Sequence, residues 1–80
     1  MSEHLQIKGH LVEQEMRSGE LKLKIMGLRN ALRMNLDPFS PISDLPSDLI
    51  AQQALELAQL HIQYKECSDT IAAIKKALGQ

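Results

Sequence analysis

Aromatic side chains are almost missing from this sequence: Phe39 and Tyr64 are the only two, and there is no Trp. A core of packed rings is thereby excluded, and Leu, Ile, Met and Ala must build whatever core forms. Cysteine occurs once, at Cys67, which excludes an intramolecular disulfide and a cysteine-pair metal site. No apolar run approaches ~18 residues, so no membrane-spanning helix is expected. The opening Met1-Ser2-Glu3-His4 has neither the basic start nor the apolar stretch of a secretory signal. A reducing cytoplasm is the expected location. Glycines are few and dispersed, at positions 9, 19, 27 and 79, which leaves no phosphate-cradling loop. Neither sign of charge dominates, and a net charge of -1 provides no global field for nucleic acid.

What is present is apolar material at helical spacing. The hydrophobic fraction of 44% is too high for a charged disordered tail. Residues 1–80 are read as a single all-α domain, an antiparallel two-helix hairpin. All three prolines fall in one stretch, at Pro38, Pro41 and Pro46. Asp37 and Ser40 each precede a proline and are pushed away from helical geometry. Helix 1 is therefore expected over about 4–35, ending near Asn35 as a left-handed terminator. A proline-rich turn follows over about 36–47, and helix 2 over about 47–78, with Asp44 or Ser47 as its N-cap.

The main stripe of helix 1 reads Ile7, Leu11, Gln14, Ser18, Leu21, Ile25, Leu28, Leu32. That of helix 2 reads Ile50, Gln53, Leu57, Leu60, Tyr64, Cys67, Ile71, Ile74, Leu78. Steps of three and four alternate, as in a coiled-coil seam. Pairing positions whose numbers sum to 81 or 82 matches the two stripes throughout, from Leu32/Ile50 through Ser18/Tyr64 and Gln14/Cys67 to His4/Leu78. The bulky Tyr64 then falls opposite the small Ser18. Ser18/Tyr64 and Gln14/Cys67 are polar layers, so the half away from the turn is expected to open more readily than the Leu21–Leu32 half. Glu3, Glu13 and Glu15 early in helix 1, and Lys75 and Lys76 late in helix 2, suit the helix dipoles.

Helix 1 carries a second stripe on its opposite side: Leu5, Val12, Met16, Leu23, Met26 and Met34, with Gly9, Gly19 and Gly27 among or beside them. A helix apolar on two faces is buried on two faces. Helix 2 has a weaker counterpart in Ala51, Leu55, Ala58, Ile62 and Ala72, interrupted by Lys65 and Asp69. An 80-residue chain with one seam has little core to stand on alone. A homo-oligomer is expected, a dimer of hairpins forming a four-helix bundle, with Leu55 and Ile62 as candidate opposing residues. An unidentified protein partner is the other possible occupant.

Candidate chemistry is thin. His10 and Glu13 are one turn apart, but no His-x-x-x-His or Cys-x-x-Cys pair occurs, so no metal, cofactor or catalytic residue is assigned. Cys67, on the seam, is expected to be an inert buried thiol. Residues 17–33 hold Arg17, Lys22, Lys24, Arg29 and Arg33 against Glu20 alone, but these cations spread around the helix. Nucleic-acid binding by a small regulator is an alternative reading on that segment. Phe39, Ile42 and Leu45 in the turn are expected to fold over the end of the hairpin and close its core; a recognition tip is the alternative. In length, and in Pro46-Ser47-Asp48 at the turn, the plan resembles small helical-hairpin assembly proteins such as type III secretion needle subunits. That likeness implies a subunit or chaperone of a secretion or phage assembly as a further alternative. The leading expectation is a non-enzymatic interaction or structural module that acts through its helical faces.

Overall fold

The computed structural model describes residues 3–80; Met1 and Ser2, part of the stretch read for a leader, lie outside it. Helix α1 spans Glu3–Asn35, a one-turn 3-10 helix spans Ile42–Asp44, and helix α2 spans Ser47–Ala77. The two long helices pack against each other as a hairpin. At 33 and 31 residues they account for rods of about 50 Å. The whole molecule measures 62 × 18 × 14 Å. Its radius of gyration is 18.1 Å, where a globular chain of this length would have about 12 Å. This is a rod two helices wide, and each helix therefore has one neighbour.

The turn is built by local hydrogen bonds. The Asp37 carboxylate accepts from the Phe39 N–H at 3.0 Å, and the Asp37 carbonyl from the Ser40 N–H at 3.3 Å. Together they close a turn around Pro38, whose fixed φ suits that position. Asn35 does not terminate α1 in the left-handed region, since no described non-glycine residue has a positive φ. Its side-chain amide instead donates to Gln53 Oε1 at 2.9 Å. Side chains lean towards the N-terminus of their own helix. In this antiparallel pair, Asn35 therefore leans away from the turn and Gln53 towards it, and the two meet.

Neither Asp44 nor Ser47 caps α2. Pro46 is the boundary residue, at φ -81° and ψ 65°, and no side chain caps the end. Those angles are an inverse γ-turn, closed by the Ser47 N–H on the Leu45 carbonyl at 2.9 Å. Ser47 is thus already the first helical residue, and Asp44 is tied into the 3-10 turn through its own N–H on Pro41. The other end of α2 is capped by the backbone. Gly79 takes φ 77°, which only glycine adopts without strain. Its N–H reaches the Lys76 carbonyl, and that of Gln80 reaches Lys75 at 2.8 Å, completing a Schellman motif.

Among the described residues, the seam between the helices holds every side chain that is buried. Leu11, Leu21, Cys67 and Ile74 are the buried set. Ile7, Gln14, Ser18, Ile25, Leu28 and Leu32 of α1 are half-buried. So are Ile50, Gln53, Leu57, Leu60, Tyr64 and Ile71 of α2, and Leu78 just after it. His4, placed opposite Leu78 by the register, lies in the first turn of α1 and is exposed. A seam covered from one side only leaves its flanks wet, and among the described residues no side chain is completely enclosed.

Candidate interaction surfaces

The register is fixed most sharply at Gln14 and Cys67. The Cys67 thiol lies 3.1 Å from the Gln14 carbonyl oxygen and 3.3 Å from its Oε1. One S–H has one proton to donate, so the two acceptors share it, and the Gln14 side chain curls back over the sulfur. Cys67 is only 4% exposed. A thiol covered to this extent is largely shielded from reagents in solution.

Outside the seam the apolar residues face water. Val12, Met16, Leu23 and Met34 on α1, and Leu55 and Ile62 on α2, are all more than half exposed; Leu5 is 60% exposed and Met26 41%. Turning 100° per residue, the α1 group lies about 150° around the helix from the seam. It occupies the back of α1, away from α2. The three glycines within α1 share this openness: a methyl built on Gly9, Gly19 or Gly27 would meet nothing within 4 Å.

The turn is the second exposed apolar region. Phe39 is 92% exposed and Ile42 90%, with Leu45 less so. They do not close the core, because the Asp37–Ser40 turn and the 3-10 turn hold this segment beyond the helix ends. A shallow groove of about 710 Å³, lined by Asn30, Arg33, Met34, Asp37 and Pro38, runs beside the tip.

The two ends of the basic segment line different grooves. Arg33 lines that groove, where Asp37 shares the wall. Arg17 lines another with His10, Gln14, Gln63, Glu66, Cys67 and Thr70, on the opposite half of the hairpin. His10 Nδ1 lies 4.0 Å from a Glu13 carboxylate oxygen, an exposed pair of little energetic weight. Among the described residues no three His, Cys, Asp or Glu side chains gather as metal ligands, and no helix is long and apolar enough to cross a membrane.

Sequence reasoning missed the Asn35–Gln53 bond, since polar residues at the seam's edge carry no periodic signal. The Schellman cap was signalled by Gly79 following Lys75 and Lys76. The chain matches no family model, curated protein or solved structure.

Proposed function

We propose that this chain is a non-enzymatic interaction module of the cytoplasm that self-associates through the back of α1, giving an assembly of two hairpins and four helices. One observation carries the reading. The chain exposes 6279 Å², whereas a compact monomer of 9.0 kDa would expose about 4,900 Å². The excess of about 1,400 Å² exceeds the ~800 Å² that each partner commits to a standard interface. Val12, Met16, Leu23 and Met26 are among the exposed large apolar side chains. Full burial of such a side chain is worth about 1.5–3 kcal/mol.

Sedimentation across concentration, paired with thermal melting, tests the proposal. Association stabilises only the folded form, so melting should rise with protein concentration. Leu23→Glu with Met26→Glu should give monomers or unfolded chain, because charge would be buried without a partner. A wild-type chain that stays monomeric at tens of micromolar would sink the reading. The exposed Phe39 and Ile42 favour a second one, a protein partner gripped by the tip. In that case Phe39→Ser abolishes partner capture and leaves self-association unchanged.

A further inference from the structure

The back of α1 is a second heptad seam. Gly9, Val12, Met16, Gly19, Leu23 and Met26 follow one another by alternating steps of three and four, and every one is exposed. No charge interrupts the series. Two of its members are glycines in a helix interior, where glycine is unfavourable relative to alanine. Nothing in the lone hairpin occupies the space over them. We infer that this seam pairs with the same seam of a second copy, antiparallel, in the register where facing residue numbers sum to 35. This inference rests on the self-association proposed above and specifies its geometry.

Size complementarity selects that register. It sets Gly9 against Met26, Val12 against Leu23 and Met16 against Gly19, and the twofold axis repeats each layer in reverse. Each glycine then receives a methionine, the side chain best able to fill an irregular gap. Leu5 and Asn30 form the end layers, so the overlap uses nearly the whole of α1. A parallel in-register pair would instead stack Gly9 on Gly9 and Gly19 on Gly19, leaving two voids.

The back of α2 is a poorer match. An antiparallel approach in the hairpin's own register would set Met16 on Lys65 and Val12 on Asp69, charges with no partner there. It would also leave the free α1 and α2 backs to add further copies without end. The α1 pairing closes on itself. Flanking charges are mixed: Glu15 faces Lys22, whereas Glu13 faces Glu20 and Lys8 faces Arg29. Such rim charges weigh little beside a packed seam. Because this seam points away from α2, the dimer is a flat row ordered α2–α1–α1–α2, with the two tips at opposite ends. Leu55 and Ile62 then lie on its outer edges.

Spin labels on Lys8→Cys and, separately, Glu20→Cys read the orientation, since the native thiol is buried. The rise of 1.5 Å per residue puts the two Lys8 sites about 30 Å apart along the axis and the two Glu20 sites about 8 Å. A long Lys8 distance with a short Glu20 distance is expected. Equal short distances in a dimer would overturn the antiparallel register while leaving self-association intact. Species that lengthen with concentration would overturn the closed pairing, and a monomer would overturn both. Gly19→Leu supplies an independent check. The hairpin has room for the side chain, so helix content should persist while self-association weakens at least about tenfold. Adding Met16→Ala should restore it. Failure of that rescue counts against Gly19 facing Met16.

Discussion

The two halves of the seam differ in a way their composition reverses. Near the turn the layers are built from Leu21, Ile25, Leu28, Leu32, Ile50, Leu57 and Leu60, with Gln53 the one polar member. Away from it lie Ser18, Gln14, Tyr64 and Cys67 among the aliphatics. Hydrophobicity alone ranks the first half as the better core. Yet Leu11, Cys67 and Ile74 are buried away from the turn, and only Leu21, near the middle, joins them. Composition does not order the burial: Leu21, in the leucine-on-leucine layer with Leu60, is 5% exposed, and Cys67, against the polar Gln14, is 4% exposed. The polar layers, read as weak points from the sequence, thus include the most deeply buried side chain among the described residues.

The largest test of this contrast is truncation on each side of it. Leu11→Ala and Ile74→Ala should each cost about 2–5 kcal/mol in urea unfolding, with Leu28→Ala near the low end of that range or below. Equal costs would remove the distinction. Hydrogen exchange should follow the same order, with slower exchange around Leu11 and Cys67 than around Leu28 and Gln53. Faster exchange around Cys67 would restore the ranking by composition.

Smaller effects sharpen the picture. Cys67→Ala removes the thiol from Gln14 and should cost about 0.5–1.5 kcal/mol from the hydrogen bond, plus the lost volume. Gly79→Ala forces a Cβ into the left-handed region and should cost about 1 kcal/mol, read as a lower melting midpoint and frayed amides after Ile74. Phe39→Ser should change stability by less than about 0.5 kcal/mol, because that ring contributes almost no burial. A marked loss there would mean the ring packs on something in solution, a second copy included.

Periodicity made the hairpin legible. Two stripes with matching three-four steps can meet only face to face, and three clustered prolines supply the reversal. The helix bounds at Asn35 and Ser47 follow from the same prolines. The cap at Pro46 and the bond between Asn35 and Gln53 were not legible. Each depends on where a short loop or a polar side chain finds its nearest acceptor, and hydrophobic spacing does not encode that.

The sequence by itself determined that this chain is helical, that it doubles back near its middle, and that one helix carries apolar residues on both sides. Spacing along a helix turns directly into direction around its axis, so those conclusions need no tertiary information. Only the tertiary structure decided that the turn residues Phe39 and Ile42 stand in solvent rather than over the core. Only it showed that the Cys67 thiol is buried against Gln14 and that nothing crowds the glycines of α1. Those outcomes depend on how closely two helices approach and where an eleven-residue connection is held, and packing between distant residues sets both.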